Sequence, residues 1–279
     1  MAFEVGPTRA RGTLCLPGCR RVVRRVLLPS LALLTLTLAA SAQAENERER
    51  PWPDEWPIVL PPIEGPLPPA PPPAPETPAG SRAGARVVEE IEALRRNVRQ
   101  TRYQHHRVVR ERTGTYYWDC SLMVHWVLER AARRSVHHLR NLQRARAEHF
   151  VRTIERAPTD TYRRGWRRIE RIQDVRPGDV FAWRRPRGFP SRNTGHTGFV
   201  IGAPRPVPRI PHAYAVRVAD ATGSRHQDDT RPWPGEGGFG IGTLVFLTDG
   251  DGHGTHYGWA GTRSGGYVVT PILFGRVGP

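Results

Sequence analysis

A proline-dense segment at residues 51–78 limits the fold of this chain more than any other feature. It reads PWPDEWPIVLPPIEGPLPPAPPPAPETP and contains 13 prolines. Because proline fixes φ and lacks an N–H, such a segment forms neither a helix nor an inner strand and favours extended polyproline II. The sequence therefore predicts a Pro-rich linker over residues 45–83 and a folded domain over residues 84–279.

Residues 1–44 have the pattern of a secretory signal. A basic run, RRVVRR (20–25), precedes an apolar run (26–40), and AQA (42–44) supplies small residues for cleavage. The apolar run is short for a bilayer span and contains Pro29. We therefore expect export to the periplasm, the cell envelope or the extracellular space, with no permanent membrane span.

The charge of the chain indicates where such a protein would concentrate. All 42 basic residues are arginine, and the net charge is +16. Six arginines and one glutamate lie in residues 1–44, so the rest of the chain carries +11. A positive exported protein accumulates at anionic polymers, which predicts peptidoglycan or another anionic cell-envelope polymer as a partner. Since export argues against nucleic acid, we expect no nucleic-acid partner; we also expect a monomer without a cofactor.

Apolar periodicity predicts three helices in the first half of the domain. One long helix is predicted over 86–112, and Gly114 would close it. The prediction rests on apolar residues at helical spacing: Val87, Ile91, Leu94 and Val98. A second helix begins at Cys120, and a third covers about 139–156.

From about Trp166 the pattern changes to strands. VRPGDVFAWRR (175–185) predicts a turn followed by a strand. Short apolar or alternating runs predict further strands at 195–202, 213–222, 242–249 and 265–276. Helices followed by strands indicate an α+β domain in which N-terminal helices pack on a mainly antiparallel β-sheet.

Cys120 is the first candidate for chemistry. It lies in TYYWDCSLMVHWVLERA (115–131), where an aromatic run meets an amphipathic helix, while Cys15 and Cys19 belong to the predicted signal. A helix start lowers the pKa of a thiol, and the thiolate is the nucleophilic form. A small buried core residue is the alternative. Export, the lack of a disulfide partner and the helix-start position favour a nucleophile.

A nucleophilic cysteine needs a base and a residue that orients this base. His196, in NTGHTGFVIG, begins an apolar strand between Gly195 and Gly198, which allow close backbone contact. Asp220 ends the next strand, so antiparallel pairing would bring its carboxylate beside the His196 ring. His226 is the alternative third residue.

The order of these motifs resembles a known family. DCS at a helix start, then RPGDVFAW, then GHTGFVIG and a strand ending in a polar residue are similar to the NlpC-type branch of the papain-like cysteine peptidases. The resemblance covers roughly residues 84–279. It implies a papain-like fold and cleavage of peptide or amide bonds in cell-wall peptidoglycan. It also implies Cys120 as nucleophile, His196 as base and Asp220 as the orienting residue, with Tyr116 or Tyr117 near the oxyanion.

Two other functions stay open at this point. Leu122 stands where the family usually has glycine after DCS, which favours a catalytically silent wall-binding or scaffold protein with a narrowed groove. A thiol-dependent acyltransferase would use the same cysteine but pass the acyl group to an amine or a lipid.

A histidine- and aspartate-rich loop at 248–259, TDGDGHGTHYGW, offers potential metal ligands. A calcium loop of the EF-hand type would need an acidic residue at its twelfth position, which is Ala260. Zinc would use both histidines and one aspartate, but the alternating glycines are more typical of a turn between strands. We therefore expect a turn and no metal site.

Overall fold

The computed structural model describes most of the predicted domain. It covers residues 77–279, apart from residues 140, 141, 143, 190–192, 209, 227, 232–234, 236 and 260–266. The described residues lie in one compact unit. The predicted signal, with Cys15 and Cys19, and the predicted linker as far as residue 76 lie outside the described residues.

Helix α1 (Arg82–Asn97) opens the domain. Its N-cap is Ser81, whose Oγ accepts the Gly84 N–H at 2.8 Å and donates to the Val277 carbonyl at 2.5 Å, so the first turn is attached to the end of the chain. The predicted apolar face is confirmed, because Val87, Ile91 and Leu94 are buried.

The prediction of a single helix over 86–112 is wrong beyond Asn97. Strands β1 (Gln100–Tyr103) and β2 (Val108–Arg110) follow, and then a 3-10 turn ends at Gly114 with φ +67°. β1 runs parallel and β2 antiparallel to β3 (Thr115–Trp118), so these three strands form a small sheet. Pairing with β3, a segment later in the chain, overrides the local helical pattern.

Three further helices follow β3. They are α2 (Cys120–Ala131), α3 (Arg133–Val136) and α4 (Ala147–Glu155). The predicted start of α2 is confirmed. The third predicted helix, about 139–156, is correct only in its second half, where Phe150 and Ile154 are buried.

The second half of the chain forms the large sheet. Its strands are β4 (Trp166–Ile169), β5 (Val180–Arg184), β6 (Gly195–Val200), β7 (Arg205–Pro206), β8 (Ala213–Thr222), β9 (Gly238–Thr248), β10 (Gly254–Trp259) and β11 (Tyr267–Val277). They follow the order β10-β9-β8-β6-β5-β11-β4, β7 pairs with β8, and every pairing in this sheet is antiparallel. β10 also pairs with β11, which closes six of the strands into a barrel.

The α+β class and the mainly antiparallel sheet are thus confirmed. β4 was not predicted, and β10 lies in the loop at 248–259, where a turn was expected. Its glycines conceal the strand pattern, since Gly254 approaches β11 so closely that an added Cβ would lie 2.7 Å from the Ile272 side chain.

Alternating residues give the strands two apolar faces. One face packs against the helices, and its cluster includes Val124, Leu128, Phe150, Phe199 and Ala219. The other face builds a second cluster, which includes Phe181, Trp183, Val218, Phe246 and Phe274. This arrangement presses α2 and α4 against β6, the strand that carries His196.

A buried ion pair connects the first and last parts of the barrel. Arg276 of β11 donates from Nε and Nη2 to the two carboxylate oxygens of Asp179 at 2.9 and 2.8 Å. Asp179 also accepts the Arg176 backbone N–H at 2.8 Å, and its side chain is 1 % exposed. This pair holds the RPGD turn against the last strand.

None of the helices among the described residues has both the length and the apolar run that a membrane crossing requires.

We expect Arg276→Leu to lower the free energy of unfolding by roughly 3–5 kcal/mol, because it leaves the Asp179 carboxylate buried without its ion-pair partner. Urea denaturation measures this change. Arg168→Leu is the matched control: it breaks an exposed strand ion pair with Glu170 and should cost at most about 1 kcal/mol. Equal effects of the two substitutions would contradict the assigned role of the buried pair.

Candidate active site

Cys120 is held at the first turn of α2 by its neighbour Asp119. The Asp119 carboxylate accepts the Leu122 N–H and the Ser121 hydroxyl, both at 2.9 Å, and so caps the helix. Cys120 is 4 % exposed, and the backbone N–H groups of Thr197 and Ser121 lie close enough to its sulfur to act on the pKa of the thiol. The thiol therefore lies against the peptide that joins His196 to Thr197.

A separation of two strands makes room for this contact. β6 pairs with β5 from Gly195 onward, but it pairs with β8 only at Phe199 and Val200. β8 stays paired with β9 through Thr222. The edge of β6 beside Thr197 is consequently open to the sulfur of Cys120.

His196 and Asp220 face each other across this gap. Nε2 of His196 lies 2.7 Å from Oδ2 of Asp220, so the two residues meet as the strand pattern predicted. Since a carboxylate only accepts hydrogen bonds, Nε2 carries the proton and Nδ1 is the basic nitrogen of the neutral ring. The Trp183 ring packs on the imidazole at 5.0 Å between centroids.

Gly195 is required for this placement of His196. Its φ is +144°, and an added Cβ would lie 1.9 Å from the Trp183 carbonyl oxygen. The predicted close approach at Gly195 is therefore confirmed, and it brings β6 against β5 directly before the histidine.

Asp220 is fully buried and bonded on both oxygens. Nε2 of His226 lies 2.8 Å from Oδ2, the same oxygen that His196 contacts. Arg231 donates to Oδ1 and, at 2.8 Å, to the Asp220 backbone carbonyl. Burial by itself would raise the pKa of Asp220, but the charges of His226 and Arg231 and the His196 hydrogen bond hold this pKa well below its usual range. His226 thus supports Asp220 and does not replace it.

Sequence reasoning missed Arg231 and Asp229. Both side chains are buried, Arg231 pairs with Asp229, and Asp229 accepts the backbone N–H groups of His226 and Arg231 at 2.7 and 2.8 Å. Arg231 thus bonds both of these buried carboxylates, Asp220 and Asp229.

The pKa of the Cys120 thiol departs from the sequence-based expectation. Burial raises it most, the Asp119 carboxylate raises it further and Asp220 adds to this effect, while the N–H groups of Thr197 and Ser121 oppose the increase. The helix start was expected to lower the pKa, but the capping carboxylate of that helix start acts in the opposite direction. In the resting site Cys120 is therefore a thiol.

A cavity of about 240 Å³ gives access to Cys120. Its lining comprises Tyr103, His105, Asp119, Cys120, Ser121, Arg144, Arg146, Ala147, Asn193, Thr194 and Gly195. At its wall Arg144 pairs with Asp119 at 2.7 Å and donates to the His105 carbonyl at 2.9 Å.

Tyr116 and Tyr117, the predicted oxyanion residues, do not line this cavity. The Tyr116 hydroxyl accepts from Asn97 at 2.7 Å, and its buried ring packs against Trp118 and Trp126. The Tyr117 hydroxyl donates to Gln100 at 3.1 Å. Both tyrosines belong to β3, and the strand pairing of β3 directs them into other contacts.

Tyr103, which the sequence did not indicate, lines this cavity instead. It lies at the end of β1 in the same cavity as Cys120, and its hydroxyl accepts from Asn193 at 3.4 Å. Burial raises its pKa, and the negative charge of Asp119 adds to this effect, so the phenol keeps its proton. The only sequence signal was an aromatic residue in a segment that the periodicity assigned to a helix.

In the segment 248–259, a turn follows β9 and leads into β10. Asp249 accepts the backbone N–H groups of Asp251 and His253 at 3.0 and 2.9 Å, as an aspartate in a turn does. Ligand atoms of these three exposed residues lie within 4.8 Å of one another. His256 instead lies in β10 and contacts Thr255 at 2.9 Å.

Comparisons of the chain with protein-family models, curated proteins and solved structures returned no significant match.

We expect Asp119→Asn to make Cys120 react faster with iodoacetamide at near-neutral pH, by about tenfold or more, because one carboxylate charge next to the sulfur is removed. Asparagine also caps helices, so α2 should persist. The rate is read by mass spectrometry of the Cys120 peptide across a pH series, and the curve should shift to lower pH. Asp249→Asn, an exposed aspartate in a turn, is the control and should leave the curve unchanged. An unshifted curve for Asp119→Asn would contradict the assigned cause of the raised pKa.

Proposed function

We propose that this protein is an exported cysteine hydrolase of papain-like architecture that cleaves peptide or amide bonds in cell-wall peptidoglycan. The observation that carries the proposal is the 2.7 Å contact between His196 and Asp220 beside the peptide on which the Cys120 sulfur rests. A nucleophile, a base and an orienting carboxylate in this arrangement are the parts of a catalytic triad.

The papain-like architecture is supported by the elements that carry the three proposed catalytic residues. The cysteine begins a helix, this helix packs on an antiparallel barrel, and the histidine and aspartate come from two barrel strands that separate next to it. The chain order of Cys120, His196 and Asp220 agrees with the NlpC-type pattern.

The first step is a proton transfer from the thiol. Nδ1 of His196 takes the Cys120 proton as the sulfur attacks the carbonyl carbon of the scissile bond, so an S–C bond forms and the carbonyl oxygen gains negative charge. The imidazolium is stabilised by Asp220, to which its Nε2–H stays bonded. The raised thiol pKa is compatible with this step, because the thiolate then forms only as the imidazolium forms.

The oxyanion receives its hydrogen bonds from the Cys120 backbone N–H and from the Tyr103 hydroxyl. Tyr103 keeps its proton and shares the cavity with the sulfur, which makes it the side-chain donor in this proposal. Such a donor is typically worth a few kcal/mol in the transition state.

Collapse of the tetrahedral intermediate breaks the C–N bond, and the leaving amine takes the proton from Nδ1 of His196. Water then attacks the thioester: its proton passes to Nδ1, the S–C bond breaks, and the thiol regains its proton. The products are a free amine and a carboxylic acid.

Peptidoglycan as the substrate is supported by charge and by the resemblance in motifs. The chain is strongly basic, and arginine side chains such as Arg144 and Arg146 stand at the rim of the cavity. A basic surface concentrates the protein on an anionic wall.

A catalytically silent wall-binding protein is the second candidate. It is favoured by the raised pKa and the 4 % exposure of Cys120. Leu122 no longer supports it, because this side chain packs against the helix-facing core and does not line the cavity.

Incubation of the protein with purified peptidoglycan, followed by mass spectrometry of the soluble fragments, separates these candidates. Hydrolysis predicts fragments with new amine and carboxylate ends, and Cys120→Ala should abolish them while binding to the insoluble wall persists. Binding without fragments for the unmodified protein would decide for the silent candidate. Transfer of the acyl group to an added amine would instead indicate an acyltransferase.

We also expect Tyr103→Phe to lower kcat by about 10²-fold with a smaller effect on KM, because it removes a hydrogen bond that strengthens in the transition state. Tyr117→Phe is the matched control, since its hydroxyl bonds Gln100 outside the cavity, and it should leave kcat nearly unchanged. Equal losses in the two variants would assign the oxyanion to another donor.

A further inference from the structure

A second cavity lies at the other end of helix α4. Ala147, at the N-terminus of α4, lines the Cys120 cavity, whereas Arg152 and Thr153 near its C-terminus line a separate cavity of about 310 Å³. The two cavities share no lining residue, so the second cavity is distinct from the candidate active site.

The lining of this second cavity is strongly basic. Four arginines contribute to it, together with His138, Thr153, Ala157 and Trp166, and the arginines are Arg152, Arg156, Arg163 and Arg164. None of the described residues in this lining is acidic. Four guanidinium groups around one concave space repel one another unless an anion offsets their charge.

Two of the four guanidinium groups form contacts within the protein. Arg152 pairs with Glu148 at 2.9 Å, and Arg163 donates to the Arg156 carbonyl at the end of α4. Arg156 and Arg164 form no ion pair with a described residue. These two side chains remain to bind an external anion.

The turn that carries Arg164 is docked rigidly. The Gly165 carbonyl accepts the Ser135 hydroxyl at 2.8 Å, and the buried Trp166 ring donates from Nε1 to the Ser135 carbonyl at 2.6 Å. Arg164 itself has φ +54°, a conformation that non-glycine residues seldom adopt. The turn therefore fixes the backbone position of Arg164, which lowers the entropy cost of binding an anion.

His138 reports the positive potential of the cavity. Nε2 of His138 lies 2.9 Å from the Thr153 hydroxyl, which donates its own proton to the His149 carbonyl, so Nε2 is the donor. Burial lowers the pKa of His138, and the charge of Arg164 lowers it further. The charge of Arg164 therefore acts inside the cavity.

We propose that this cavity is a binding site for a phosphoryl group, held by the guanidinium groups of Arg156 and Arg164. A phosphoryl group is a compact anion with several acceptor oxygens, and planar guanidinium groups bind such oxygens in pairs. A concave site with this chemistry suits a phosphate that enters it better than a flat membrane surface. The site depends on no step of the proposed hydrolysis.

The phosphoryl group has two possible sources with the same chemistry. It belongs either to a small phosphorylated molecule or to a repeating phosphodiester chain in an anionic envelope polymer. The second source rests on the proposed function, because it would anchor the hydrolase on its wall.

Calorimetric titration of the full chain with inorganic phosphate at low ionic strength tests the site, with sodium chloride of equal ionic strength as the blank. The double variant Arg156→Gln/Arg164→Gln should bind phosphate at least about tenfold more weakly, since two charge-assisted contacts are lost. The control Arg96→Gln/Arg112→Gln removes the same charge at exposed positions of the N-terminal region and should bind like the unmodified protein.

Equal weakening in the two double variants would reduce the effect to bulk charge and overturn the proposal, as would the absence of phosphate binding to the unmodified protein. A glycerol-phosphate oligomer that binds more tightly than phosphate would identify the polymer source, whereas equal binding would identify the small ligand. Binding to anionic lipid vesicles without binding of phosphate would also overturn the site. Cys120→Ala should bind phosphate normally, so failure of the hydrolase would leave this result unaffected.

Discussion

The candidate site depends on the buried carboxylate of Asp220. A carboxylate that is fully removed from water is stable only when its oxygens are bonded, and here two imidazoles and one guanidinium bond them. Arg231 bonds Asp220, Asp229 and the Gly238 carbonyl from one side chain. It thereby connects the end of β8 with the start of β9 beside the carboxylate that His196 contacts.

The separation of β6 from β8 places Cys120 next to this buried network and so forms the candidate active site. A fully paired β6 would use the Thr197 N–H in the sheet and leave no room for a helix start beside it. Because pairing with β8 stops at Phe199, that N–H is available to the Cys120 sulfur. Across the same gap the His196 ring contacts Asp220. The early end of the β6–β8 pairing therefore determines where a thiol and an imidazole could react together.

The sequence predicted those parts of the molecule that depend on local pattern. The apolar spacing of α1, the start of α2 at Cys120 and the limits of β8, residues 213–222, agree with the structure. The contact of His196 with Asp220 was also predictable, because antiparallel strands bring their ends together. The catalytic roles of these residues stay predictions.

What the sequence could not predict depends on contacts between distant segments. Tyr103 was assigned to a helix because its pairing partner, β3, lies later in the chain. Arg231 looked like any of 42 arginines, and only folding removes it from water. The raised thiol pKa has the same origin, since burial and the orientation of the Asp119 carboxylate are properties of the folded state.

Two opposing electrostatic effects meet at the Cys120 sulfur, and their balance indicates how such a site would work. Asp119 must be charged or strongly polar to cap α2, and this requirement raises the pKa of the thiol that the helix positions. At the ring, Asp220 bonds Nε2 of His196 and so orients the imidazole that would accept the thiol proton. A proton transfer from sulfur to Nδ1 would therefore be opposed at the sulfur and assisted by Asp220 at the ring. Reactivity then depends on the distance and solvation of this pair, both of which change when a substrate enters the cavity and excludes water. A cysteine that stays protonated until that moment is also protected from oxidation, because the thiolate is the form that oxidants attack.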